Sequence, residues 1–222
     1  MRSGKEWMIR IVILMVGLTI AHLGVSLFLL AELGSDPFNV LIQGLYRVLL
    51  SLTHWEALTH GRVHIAVSLL IIAVLLLADK SYVKPGTVLC MICGGPIIDF
   101  FTMVLSPLNI QNAALPMRIA VLAVGCGVLA YGMTIVIKSD AGTGPNDLVA
   151  VVLSDKLHGK FSVVRILVDA CFVLLGYLMG GTVGIGTIIC ALLVGPVAGV
   201  FLPINEKMIQ RLLPASSSSR RK

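Results

Sequence analysis

GSDPFNVLIQGL at residues 34–45 and GTGPNDLVAVVL at residues 142–153 are the two stretches on which the fold turns. Each sets a glycine three residues before a proline and then opens an apolar run. Proline suits the first position of a helix, because the N–H it lacks would have no partner inside that helix. Gly34 and Pro37 map onto Gly142 and Pro145 with a shift of 108 (142 − 34, 145 − 37), and the same shift carries Gly17 onto Gly125 and Gly24 onto Gly132. Further on the shift becomes 100: GTVLCMICGGPIIDFF from Gly86 lies over GTIICALLVGPVAGVF from Gly186, with six of sixteen residues shared. The eight residues by which the shifts differ fall in the polar connection SLTHWEALTHGR, residues 51–62. Insertions belong in loops, so the register is self-consistent. The chain reads as an internal duplication, a frequent construction of transporters, with one repeat over 8–105, a second over 117–204 and a basic cytoplasmic tail over 205–222.

Of the 222 residues, 57% are hydrophobic and 13% charged, against roughly a quarter charged in ordinary globular domains. A soluble core has no use for so much apolar surface. Helices bundled in lipid do, since each satisfies its own backbone and turns its side chains to hydrocarbon or to its neighbours. The expected fold is all-α, a polytopic membrane helix bundle. Apolar blocks near the length a bilayer demands lie at 8–31, 63–78, 86–105, 117–137, 162–179 and 186–204. The first follows Arg2, Lys5 and Arg10 but is too long for a secretory signal and lacks a small-residue cleavage site. Two shorter helices, 37–52 and 145–157, either cross or re-enter.

Lysine and arginine do not choose between those topologies. If all eight segments cross, 14 of the 17 basic residues share a side with the amino terminus, leaving Lys80, Lys84 and Lys138 opposite. If the short helices re-enter, the count is again 14, with Arg47, Arg62 and Arg118 opposite. Both arrangements put both termini in the cytoplasm at a cell membrane. Eight crossings imply parallel repeats and six imply inverted ones. The net charge of +6 comes from residues scattered between apolar blocks and from the terminal Arg220, Arg221 and Lys222. Without an aromatic and basic surface it marks loops, and no nucleic-acid partner is expected.

No metal or other cofactor is expected. Cys90 and Cys93 have C-x-x-C spacing inside LCMICGG, with no second Cys/His pair to close a tetrahedral site. His54, His60 and His64 with Glu56 cluster around the insertion but match no closed ligand set. No G-x-S-x-G, P-loop or H-E-x-x-H string occurs, so no enzyme is expected.

Two readings of the glycine-proline turns stay open. In one they are punctuation, with Ser35 or Asp36 and Thr143 capping helices in interfacial water. In the other, the bare helix starts bind a polar, even anionic, guest near the bilayer midplane, and the substrate site comprises Asp36, Pro37, Asn39, Gly142, Thr143, Gly144, Pro145, Asn146 and Asp147. Asn39 and Asp147 occupy the same repeat position, one polar residue on the first turn of each short helix. Three ionisable residues within spans are candidates for charge coupling: Asp99, Arg165 and Asp169. Arg165 and Asp169 are four residues apart on one helix face and can pair; Asp169 is then either self-neutralised or a carboxylate that couples to a cation or proton. Pro96, three residues before Asp99, is placed to break its helix. His22, alone in mid-span, reads more readily as a hydrogen-bonded packing residue than as a proton relay.

With these motifs in view the chain resembles the YczE-like branch of the YczE/YyaS/YitT bacterial membrane proteins over nearly its whole length. AGTGPNDLV, FSVVRILVD and LMGGTVGIGTIICALLVGPVAGVF carry the likeness, with LGSDPFNVL and PGTVLCMICGGPIID in the first half. Phe38, Asn146 and Asp169 stand where tryptophan, a basic residue and glutamate are frequent. The resemblance implies an integral membrane protein, often described as transporter-like, without a settled activity. The expected function is a secondary transporter or exporter of a small molecule or ion through a site between the repeats, in a lipid bilayer. The alternative is a non-catalytic membrane scaffold or regulator, whose small-residue faces, Gly125, Gly127, Gly132, Gly176, Gly180 and Gly181, suit a homodimer or a membrane-protein partner.

Overall fold

A computed structural model of the chain describes residues 4–34, 36–55, 58 and 60–213. Eight α-helices form, in order α1 (Gly4–Leu30), α2 (Pro37–Thr53), α3 (His60–Ala78), α4 (Pro85–Leu105), α5 (Leu115–Ser139), α6 (Pro145–Lys156), α7 (Phe161–Leu178) and α8 (Ile185–Leu212). Two single turns of 3₁₀ helix, Ser106–Leu108 and Ile110–Asn112, join α4 to α5. Among the described residues five helices, α1, α4 (extended to Leu108), α5, α7 and α8, are long and apolar enough to cross a bilayer, and Arg62–Leu77 within α3 is a shorter apolar stretch. Large apolar side chains such as Val12, Leu70, Val124, Leu167 and Leu192 face outward, as lipid requires and water does not tolerate.

The core is the crossing of α1 and α5, and it is built by glycine. A Cβ on Gly132 would lie 2.2 Å from the Ala21 nitrogen and 2.7 Å from the Gly17 carbonyl oxygen. One on Gly24 would lie 2.3 Å from the Leu129 nitrogen. Residue numbers fall along one helix as they rise along the other, so α1 and α5 are antiparallel. By contrast α4 runs parallel to α1, with Gly86 against Leu14, Gly94 against His22 and the Ser26 hydroxyl donating to the Ile98 carbonyl at 3.2 Å. Likewise α8 runs parallel to α5: Gly186 packs on Leu122, and Asn205 Nδ2 donates to Thr134 Oγ1 at 2.6 Å.

Two ends follow from this order. At the basic end Arg10 lies with Asp140 (3.6 Å) and Lys84 also pairs with Asp140. At the far end Arg118 caps α1. Arg10 Nη1 donates to the Ser139 carbonyl at 2.8 Å, and Arg118 Nε donates to the Ala31 carbonyl at 2.8 Å. Both pairs differ by the repeat shift of 108 (118 − 10, 139 − 31). The next residues, Glu32 and Asp140, are both left-handed, at φ 49° and 59°. Gly34 and Gly142 then take φ of +137° and +147°, a conformation that glycine alone adopts freely. Gly186 N–H donates to the Leu33 carbonyl at 2.8 Å, and Gly86 N–H to that of Ala141 at 2.9 Å.

The short helices differ in where they point. Alongside α7, α2 runs parallel, from Phe38 against Phe172 (ring centroids 5.4 Å apart) to Arg47, which donates to the Gly180 carbonyl. It therefore ends at the far end. The last turn of α6 instead brings Asp155 into a hydrogen bond with Tyr82, in the connection at the basic end.

Two expectations are corrected. Pro96 breaks nothing, since α4 continues unbroken to Leu105; neighbouring helical turns carry the backbone through such a proline. The tail expected from residue 205 is still helix to Leu212, with Asn205 and Ile209 buried and Asn205 bonded to Thr134 of α5. Ser35, Glu56 and residues 214–222, the latter including the basic terminus, lie outside the described residues.

Candidate functional site

Asp147 sits two residues beyond Pro145 because α6 starts there, and its first-turn side chain meets α7. Arg165 Nη1 donates to Asp147 Oδ1 at 2.5 Å, while Arg165 Nε donates to Asp169 Oδ2 at 2.9 Å. One guanidinium thus holds two carboxylates from two helices, with a separate nitrogen of its planar fork turned to each. Arg165 is 8% exposed and Asp169 1%. The second oxygen of Asp169, Oδ1, is buried with no hydrogen-bond partner, as is Thr143 Oγ1.

Asp36 caps α2, accepting from the Asn39 backbone N–H at 3.2 Å and from the Asn39 side-chain amide at 2.5 Å. Asp36 is also in electrostatic range of Asp169, as is Asp147. The starts of α2 and α6 therefore approach one carboxylate. On α6 the capping position is Gly144, with no side-chain bond, and Asn146 Nδ2 turns to Asp147 Oδ1 at 3.2 Å. Pro37 and Pro145 are buried at their helix starts, and Gly142 is locked against Gly86 and Thr87.

A cavity of about 240 Å³ opens beside α6 at the basic end. Tyr82, Lys84, Lys138, Asp140, Thr143 and Asp155 are in its lining. It reaches Gly142 and Thr143 but includes no residue of α2, so the two helix starts do not share it.

Asp99 does not join the cluster. It is exposed on α4 and makes no ion pair among the described residues, and its placement with the coupling charges is corrected on that ground. His22 behaves as a packing residue, with Nδ1 2.7 Å from the Leu18 carbonyl and its ring against Gly94. The ring of His64 stands on edge to Phe38, 5.3 Å between centroids. No group of three or more His, Cys, Asp or Glu that could hold a metal occurs among the described residues. Sequence reasoning paired Arg165 with Asp169 but missed its bond to Asp147, which spans 18 residues and two helices.

Residues 8–203 match a family described as a family of unknown function (DUF6198). The chain belongs to this family. As a DUF6198 member it is 28% identical over 206 residues to the uncharacterized membrane protein YczE of Bacillus subtilis (strain 168), covering 92% of this chain and 91% of that one. It is 30% identical over 198 residues to an uncharacterized protein of Haemophilus influenzae, covering 88% and 84%. A third relative, the uncharacterized protein YyaS of Bacillus subtilis, is 29% identical over 193 residues, covering 86% and 92%. No solved structure matches at a significant level. Relatives and helices agree on a multi-pass, YczE-like membrane protein.

Proposed function

We propose that this DUF6198 member is a secondary transporter of a small polar solute, built from two inverted halves around the Arg165 cluster and carrying no catalytic chemistry of its own. Inversion is supported by antiparallel α1 and α5, by the matched arginine caps, and by α2 and α6 ending at opposite ends. With α2 and α6 re-entrant, six helices cross and both termini share the basic end. In that topology 14 of the 17 lysines and arginines of the sequence fall on the side of the amino terminus, which makes it the cytoplasmic face of a cell membrane.

The observation that carries the reading is the triad Asp147, Arg165 and Asp169, with Arg165 and Asp169 buried on α7 and Asp147 half-buried where the interrupted helix α6 begins. Ionised groups at such depth cost on the order of 2.5–3.5 kcal/mol each on insertion scales. Packing needs none of them. The sign of the site favours a cation over the anion that bare helix starts suggest. Asp36 already caps α2, Asp147 fills the first turn of α6, and two carboxylates face one guanidinium. The scaffold alternative loses ground because Gly125, Gly132, Gly176 and Gly181 are consumed by internal crossings.

The test is uptake into liposomes of radiolabelled small amines and, in parallel, small carboxylates, without nucleotide. Uptake of at least one amine is expected, reduced at least tenfold in Asp147→Asn. Uptake absent for both panels, or unchanged in Asp147→Asn, overturns the reading of this site.

A further inference from the structure

We propose that Asp169 is a proton-binding carboxyl, and that it takes up and releases a proton at Oδ1 as the cluster changes state. The coupling of that proton to a solute rests on the transport reading; the protonation itself does not.

The argument is one of charge and space. Within hydrogen-bond distance, Arg165 balances Asp147 at 2.5 Å and Asp169 at 2.9 Å, so the triad carries one uncompensated negative charge. Asp36, from the start of α2, adds a further negative field. The other elements packed here bring no lysine or arginine: α5 offers Met133 Sδ to the guanidinium, α8 presents Gly195 and the Cys190 thiol, α4 brings the Cys90 thiol within range of Asp147, and α1 brings His22 within range of Asp147 as a ring already bound to a backbone carbonyl. A net charge without water is costly, and carboxylates that share a site relieve it by binding a proton.

Geometry says which oxygen takes it. Both Asp147 contacts, from Arg165 and from Asn146, fall on one oxygen, Oδ1, and its side chain is 19% exposed. Asp169 uses only Oδ2, and its Oδ1 is enclosed without a partner at 1% side-chain exposure. The neighbouring cavity reaches Thr143 and does not have Asp169 in its lining, and Oδ1 itself is buried. Uptake forms one O–H bond at Oδ1 with a proton from water and leaves Arg165 balanced by Asp147 alone. Release restores the two-carboxylate clamp. The guanidinium is thus held by α6 and α7 in one state and chiefly by α6 in the other.

Infrared difference spectroscopy on the full chain in lipid nanodiscs, titrated from alkaline to acid pH in choline chloride, tests this. A protonated-carboxyl C=O band that grows on acidification is expected. It is lost in Asp169→Asn, shifted in frequency in Asp169→Glu, and retained in Asp147→Asn. A band that survives Asp169→Asn overturns the proposal. So does a carboxylate that stays ionised throughout, or one whose stretch moves when sodium replaces choline, which assigns the site to a metal cation. The band intact with no solute uptake sinks the transport reading and leaves the proton site standing.

Discussion

Replacing Arg165 by alanine is expected to destabilise the protein by about 3–5 kcal/mol, the range seen when one partner of a buried ion pair is removed and the other is left uncompensated. Here two carboxylates are abandoned together, because Asp147 and Asp169 both depend on this one side chain. The loss is a charge effect and not a cavity, so it has a signature. Arg165→Ala combined with Asp169→Asn is expected to regain a large share of the stability, whereas a loss of packing alone makes the two changes additive. Arg165→Lys recovers less than half, since an ammonium cannot present Nε and Nη1 to carboxylates on different helices. Thermal unfolding of the four variants in one mild detergent measures all of this. Additive losses contradict the charge account.

At the α1 and α5 crossing the expected loss is comparable and its cause is steric. Gly132→Ala places a methyl 2.2 Å from the Ala21 nitrogen and 2.7 Å from both its Cα and the Gly17 oxygen. All three are backbone atoms, so no rotamer change relieves the overlap and the helices must part. Overpacking of this kind costs about 1–3 kcal/mol and more where backbone must shift. Gly132→Leu is expected to abolish folding. Gly127→Ala, on the same helix with nothing within 4 Å of its added Cβ, is the control and is expected to be neutral. Protein recovered folded after size-exclusion chromatography reads the series. Equal behaviour of Gly127→Ala and Gly132→Ala contradicts the close crossing.

The apolar blocks and the two proline-initiated helices were legible in the sequence, because lipid rewards long apolar runs and proline selects a first helical turn. The Arg165 and Asp169 pair was legible because residues four apart share one helix face. What stayed hidden was non-local. Nothing along the chain aims the Asp147 side chain at a helix that begins fourteen residues later (161 − 147). Topology was hidden for a different reason, a balanced charge count, although a signal did exist. The shift of 108 that relates the glycines also relates Arg10 to Arg118 and Glu32 to Asp140 (118 − 10, 140 − 32), and those are the residues that fasten α1 to α5 at opposite ends. Asp99 misled because an acid in an apolar run promises a buried site, whereas on α4 it faces outward.

Inversion of the two halves is tested most directly by the sidedness of the two short helices. Single cysteines at Ser51, exposed near the end of α2, and at Lys156, the last residue of α6, are to be labelled in a variant lacking the five native cysteines, using a membrane-impermeant maleimide on intact cells and on inverted vesicles. Labelling from opposite faces, with Lys156→Cys on the cytoplasmic side, is the predicted result. Labelling of both from the cytoplasmic face means that α2 and α6 cross the bilayer, and it contradicts the inverted architecture together with the site built upon it.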